Sequence, residues 1–341
     1  MDFNPQNILV IDFGQLGDVV LSLPALRAIR EKFPYARITV AAGKSCTAAI
    51  EMSGYANETL AVDRVALRDG AKLWSIGKII KLVKDVRRRE FDFVIDLHSL
   101  SETNVLGWLS RAEKRLYSRR PGRSLDYLAN FRPSPPAEDR SRHATDRYLD
   151  VLAPLGIKNA SREPILTPTP ANQEVAEKFL RKNKADAGVP LVGLFPGAGH
   201  PSRRWPLDRF ATLAELLIRN DSVRVLVFLG PEEAELKKQV AKDFPRGVLV
   251  VEKLSLPELA AMLSRLSVLI SNDTGPMHIA AAVGTPVVKL IGHPTLNTYV
   301  PIGEQHTVIH GVAIDAITVE EVYSAAHTSL ARGRTSTIFA R

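Results

Sequence analysis

The strongest constraint in this chain is a rhythm. Short apolar runs alternate with stretches of helical period, and the series is played twice. Residues 8–13 (ILVIDF) read as a buried strand, and residues 17–33 follow with Val19, Val20, Leu23, Leu26, Ile29 and Phe33 at helical spacing. Pro24 lies inside that stretch and predicts a kink or a late helix start. Further strands are expected at 37–42 and 91–97, and helices at 73–89, from about 101, and over 144–155. Between 116 and 142 the pattern gives way to Pro121, Pro133, Pro135 and Pro136 among many arginines, which reads as a long loop or lid. Residues 165–172 (ILTPTPAN) read as a linker. A second series follows, with strands at 191–195, 223–229, 248–252, 268–271 and 286–291. Its helices fall at 207–219, 232–243, 256–266, 274–283 and 319–331.

Such a series buries a parallel sheet under helices on both faces. The expectation is α/β, two doubly wound domains over 1–168 and 169–341, with the last helix able to pack back on the first. Ligands of such sheets bind beyond the carboxyl ends of the strands, and the cleft between two such units is the natural site.

Composition narrows the class. The chain has 341 residues, too many for one ordinary core. Hydrophobic residues make up 45% and charged residues 24%, which excludes a disordered chain. Cys46 is the sole cysteine, so neither an internal disulfide nor a zinc site built on two cysteines can form. No apolar run approaches the roughly 20 residues of a membrane span, and a soluble protein of a reducing compartment is expected. The net charge is +8, and residues 111–147 hold ten Arg or Lys against five acids. That stretch suits an anionic partner as well as it suits a solvated surface. Nucleic acid is not expected: no nucleic-acid motif is present and aromatics are 6%.

Three strand-to-helix loops carry chemistry. In DFGQLGDVV (12–20), Gly14 and Gly17 flank the turn and Asp18 stands at the helix start. Asp18 reads as a general base or as a helix cap, and the loop alone favours the cap. No GxGxxG is present, so a dinucleotide fingerprint is unsupported. In FPGAGHPSRRWP (195–206), Gly197 and Gly199 allow close backbone approach, Arg203 and Arg204 offer charge to phosphate oxygens, and Trp205 reads as a packing residue. In ISNDTGPMHIAAAVGTPVV (270–288), Asp273, Thr274 and Gly275 open a helix whose amides form an anion site, with His278 on its first turn. The other reading is Asp273 or Thr274 as a cap and His278 as an ordinary polar residue. His98, His143, His200, His293 and His310 lack metal-ligand spacing, and Cys46 reads as a buried thiol.

Taken together, the GxxGDVV opening with LPALRAI, the PGAG loop ending in RRWP and the NDTGPMH…GTPVV segment resemble the glycosyltransferase family 9 enzymes, the ADP-heptose:lipopolysaccharide heptosyltransferases. Residues 143–156 and 254–275 also look familial, and the resemblance runs from about Ile8 to Ala331. It implies a GT-B fold of two facing Rossmann-like domains, acceptor on the first and nucleotide-sugar donor on the second. It implies an inverting transfer needing no metal and no cofactor, since the ADP-sugar is a substrate. Asp18 matches the family's base, with Gly17, Arg120 and Arg123 on the acceptor side. Gly197, Ser202, Arg203, Asp273, Thr274, Gly275 and His278 match donor-binding positions. Glu233 is matched to the acidic residue that binds the nucleoside, and Leu254 to the adenine contact. The implied partners are the donor and an anionic glycolipid acceptor, at the inner face of the cytoplasmic membrane, with the enzyme cytoplasmic. Two departures bear on the acceptor and donor: Arg203 stands where the family commonly has lysine, and Asp96-Leu97-His98-Ser99 where Asp-Leu-Gln-Gly is more usual. The alternatives left open are another nucleotide sugar, another glycan or protein acceptor, or a non-catalytic nucleotide-sugar-binding protein.

Overall fold

In each half of the chain the first strand of the series is central in its sheet. The computed structural model describes residues 3–63, 73–185, 188–230, 233, 235–292 and 298–338, without the side chains of 73–76 and 333–338. Contacts divide the chain into two units, Met1–Ile165 and Leu166–Arg341. The first unit holds β1 (Asn7–Asp12), β2 (Arg37–Gly43), β3 (Glu58–Val62), β4 (Phe93–Asp96) and β5 (Lys114–Tyr117), ordered β3-β2-β1-β4-β5. Its helices are α1 (Leu16–Lys32), α2 (Thr47–Ser53), α3 (Leu73–Arg88), α4 (Ser101–Leu109) and α5 (Ala144–Asp150). The second holds β6 (Leu191–Phe195), β7 (Arg224–Leu229), β8 (Leu249–Glu252), β9 (Val268–Asn272), β10 (Val287–Ile291) and β11 (Thr307–His310), ordered β11-β10-β9-β6-β7-β8. Its helices are α6 (Pro170–Lys182), α7 (Leu207–Asp221), α8 (Leu236–Asp243), α9 (Leu256–Leu263), α10 (Gly275–Ala282) and α11 (Val319–Ile338). Every strand pairing is parallel.

The central strands β1, β6 and β9 are buried almost end to end, which is why they read as near-continuous apolar runs. Leu9, Ile11, Val94, Val86, Leu106 and Tyr117 belong to one core of the first unit. In the second, Leu194, Val225, Val227, Ile270, Phe210, Leu217 and Val322 share a core under α7 and α11. Each sheet changes winding direction once, between β1 and β4 and between β6 and β9. Those are the switch points at which doubly wound sheets open a crevice.

Three expectations differ from the structure. The helix α1 starts at Leu16 and runs unbroken through Pro24, so there is no late start. The stretch expected to be a linker is already helical from Pro170, with the Thr169 hydroxyl accepting from the Asn172 amide and proline at the first helical position, where it loses no bond. The expected long loop opens on the last two residues of β5 (Lys114–Tyr117) and holds a short 3₁₀ turn at Asp126–Leu128. The last helix, α11, packs on α7, β9, β10 and β11. His293 and Glu232 lie outside the described residues.

Candidate functional site

The first switch point gathers carboxylates. Asp12 ends β1 and is buried; its Oδ1 accepts from the Gly14 amide at 2.8 Å, and its Oδ2 from the Ser22 hydroxyl at 2.6 Å. The chain must turn tightly there. A Cβ on Gly14 would lie 2.5 Å from the Asp18 Cβ and 2.9 Å from Asp12 Oδ1, so only glycine fits. Asp18, half-buried on the first turn of α1, turns Oδ2 back to accept from the Gln15 amide at 3.0 Å. The capping reading is therefore realised, on one oxygen. Gly17 lies beside it on the same turn. Burial, and then the negative Asp12, push the Asp18 carboxyl above the usual carboxylate range; the Gln15 amide, His98 and Arg120 pull it partly back.

From β4 comes Asp96, fully buried. It accepts from the Ser99 amide at 2.6 Å and from Asn104 Nδ2 at 2.8 Å. Burial raises it to about 7 despite those bonds. His98 follows, with Nδ1 3.7 Å from Asp12 Oδ1. Arg120 is mostly buried and donates to Glu138 at 3.1 Å, sharing that carboxylate with Arg147 at 3.0 Å and Arg140 at 3.5 Å. Arg119 pairs with Asp126, and Arg142 with Asp150. Much of the basic stretch is thus neutralised internally. Arg123 is exposed in a turn whose amide bonds back to Arg120.

The second switch point is built around Asn272, the buried last residue of β9. Its Nδ2 donates to the Pro196 carbonyl at 2.8 Å, and its Oδ1 accepts from the Trp205 amide at 3.0 Å. One side chain so pins both ends of the loop between β6 and α7. Trp205 is a packing residue, its indole N–H on the Ile317 carbonyl at 2.9 Å and its ring edge-on to Phe210. Gly197 and Gly230 border the Glu233 carboxylate; a Cβ on Gly197 would run into it. Glu233 is buried and its Oε2 accepts from the Gly230 amide at 3.0 Å.

Arg203 is 64% exposed, with Nη1 3.8 Å from Asp273 Oδ2. Arg204 turns inward to the Ala198 carbonyl at 3.2 Å. Ser202 is exposed and tied to His200, 2.7 Å from hydroxyl to Nδ1. Thr274 is the N-cap residue of α10 but its side chain does not cap, and Gly275 opens the helix. His278 is buried on that turn. Leu254 is half-buried after β8, next to Lys253 with a φ of 60°. Among the expected donor residues the structure joins Arg203 to Asp273 and Gly197 to Glu233, and sets the rest on loops and on the first turn of α10 at the carboxyl end of the same sheet.

Sequence reasoning missed Asp12 and Asn272, and missed Lys289, whose Nζ lies 2.7 Å from Asp273 Oδ1. Each had a signal: a polar residue closing or interrupting an apolar strand, where an unpaired polar group would be costly. Among the described residues no three His, Cys, Asp or Glu side chains are grouped to hold a metal, and no helix is long and apolar enough to cross a membrane. Cys46 is buried.

Comparison with known proteins gives a consistent picture. Residues 79–326 match the model of glycosyltransferase family 9 (heptosyltransferase). The chain is 25% identical over 326 residues to the lipooligosaccharide heptosyltransferase 2 of Haemophilus influenzae, covering 92% of this chain and 91% of that protein. The crystal structure of a family 9 glycosyltransferase from Veillonella parvula superposes with a TM-score of 0.87 at 26% identity, over 97% of this chain and 99% of the other. The Escherichia coli heptosyltransferase WaaC, solved with ADP-2-deoxy-2-fluoro heptose, gives 0.76 at 21% identity, over 95% and 99%.

Proposed function

Because the chain belongs to glycosyltransferase family 9 and has its GT-B fold of two parallel-sheet α/β domains, we propose that it transfers a heptose from ADP-heptose to an acidic lipopolysaccharide-core acceptor with inversion. The carrying observation is Asp18: a half-buried carboxylate at a switch point, raised by burial and by Asp12, with one oxygen held by its helix start. The Haemophilus influenzae relative is a lipooligosaccharide heptosyltransferase, and the WaaC structure carries an ADP-heptose analogue. Both support heptose and adenosine diphosphate as the donor chemistry.

In this reading the acceptor hydroxyl attacks the anomeric carbon from the face opposite the diphosphate. Asp18 takes the hydroxyl proton, the glycosidic bond to the new oxygen forms, and the bond to the diphosphate oxygen breaks as ADP leaves. A positioned base contributes roughly 10²–10⁴-fold. Charge grows on the departing diphosphate, where Arg203 and the Thr274–Gly275 helix start stabilise it without a metal or cofactor. Glu233 and Leu254 serve the nucleoside, and Gly197, Ser202, Asp273 and His278 complete the donor site. Gly17, Arg120 and Arg123 serve the acceptor. On this reading the enzyme works in the cytoplasm, at the inner face of the membrane that carries its acceptor.

The test is an ADP-release assay with ADP-heptose and a heptose-deficient core acceptor. Release that needs both substrates is the expected result. Release with other nucleotide sugars but not ADP-heptose would sink the heptose assignment, and binding without turnover would support a non-catalytic role.

A further inference from the structure

Lys289 sits in the middle of β10, where a parallel sheet ordinarily buries a branched apolar side chain. Its flanking residues Val288 and Leu290 are fully buried, and its own side chain is only 2% exposed. A buried ammonium is costly unless it is paired and hydrogen-bonded. Here it has two partners. Nζ lies 2.7 Å from Asp273 Oδ1 and donates to the Tyr299 carbonyl at 2.7 Å. Burial pulls the amine below its usual range and Asp273 pushes it back up. The other Asp273 oxygen faces Arg203, at 3.8 Å. One carboxylate therefore stands between a buried lysine and an exposed arginine.

The geometry points to Lys289 as a positioning residue of the diphosphate site, one that offsets Asp273 from beneath and leaves Arg203 its charge for the ligand. This rests on the donor reading of Arg203 and Asp273 above. The argument is one of charge. Arg203, Lys289 and Asp273 together carry one net positive charge, and an anionic ligand meets an attractive field. Without Lys289 the three become two that cancel. Arg203 is then held by Asp273, and the carboxylate faces the diphosphate uncompensated. Because Lys289 is walled off from solvent, its field is screened less by salt than that of an exposed lysine. It also cannot swing away from Asp273 as Arg203 can.

The experiment is calorimetry of ADP with the full chain at low and high salt. Lys289→Gln keeps amide donors near Asp273 and Tyr299 but removes the charge; Lys289→Met removes both. Each is expected to bind ADP about tenfold more weakly than the parent at low and at high salt alike, because the charge removed is one that salt screens little. Asp273→Asn/Lys289→Met restores one net positive charge and is expected to bind ADP at least about threefold more tightly than Lys289→Met alone, since a buried ion pair can be replaced whole at little cost. Parent-like affinity in Lys289→Gln overturns the charge role. So does equal weakness in the single and double variants, which would make the lysine a packing or hydrogen-bonding element only. Should Lys289→Met fail to fold, Lys289→Gln and the double variant carry the same comparison. Arg203→Ala run beside them separates the two levels. Weakening there with parent-like Lys289→Gln defeats this inference alone, whereas unchanged ADP binding in all of them removes the diphosphate site and this inference with it.

Discussion

At the scale of single residues, Asp18 bears the most weight. One of its oxygens caps α1 by accepting from the Gln15 amide, and asparagine can do the same through its own Oδ1. Asp18→Asn is therefore expected to melt close to the parent and bind ADP normally, yet to turn over at least about a hundredfold more slowly. Turnover, ADP affinity and melting temperature measured on the same variant check this, and near-normal turnover would return Asp18 to a cap alone. A base works only when ionised. Since burial and Asp12 raise this carboxyl, the acidic limb of kcat/KM should fall above the ordinary carboxylate range. A pH profile whose limb lies near 4 would contradict it. Arg203 allows a parallel expectation. Its head is mostly in solvent and only loosely paired, so Arg203→Ala should leave the fold intact and weaken ADP binding about tenfold, the worth of one charge-assisted contact. Calorimetry with unchanged affinity would dismiss it.

At the scale of elements, the constraint lies in how loops are seated on strand ends. Gly14 and Gly197 each hold backbone against a carboxylate, Asp12 and Asp18 in one case and Glu233 in the other. Gly197→Ala is expected to force Glu233 out of its place, costing on the order of 1–3 kcal/mol of stability as overpacking does and weakening ADP binding besides. A denaturant titration and calorimetry on that variant measure both effects, and a silent substitution would show the loop to be slack. These seats also explain what the sequence made legible. The central strands β1, β4, β6, β7, β9 and β10 could be read because both of their faces are buried. The strands β3, β5 and β11 could not, because they are edges with half-exposed faces and polar side chains, as in Lys114 and Arg115 of β5. The seven-residue α2 is too short to show a period. At the sites, the glycine-flanked loops and their Asp, Thr and Arg residues were visible as local motifs. Asn272 and Lys289 were not, because their roles depend on partners 67 to 76 and 10 to 16 positions away, which only the sheet brings near.

At the scale of the whole molecule, buried acid shapes the response to pH. Asp96 titrates at about 7 in the fold, against about 3.9 in an unfolded chain. Between those values the folded chain keeps a proton that the unfolded chain has released, so stability is highest below about pH 4 from this group and declines as pH rises to about 7. The loss is on the order of 4 kcal/mol. Melting temperatures of the parent and Asp96→Asn from pH 4 to 8 test it: the parent should lose stability relative to the variant as pH rises, and parallel curves would refute it. The order of the second sheet carries one more consequence. Asn272 can pin the loop after β6 only once β9 has docked beside β6, because the two strands are neighbours in space with β7 and β8 between them in sequence. That pairing closes a long loop of chain, which slows its formation, and the proposed nucleotide seat is complete only after it. Nucleotide should accordingly act on the clock of unfolding and not on that of folding: in denaturant-jump experiments ADP is expected to slow unfolding while leaving the refolding rate unchanged.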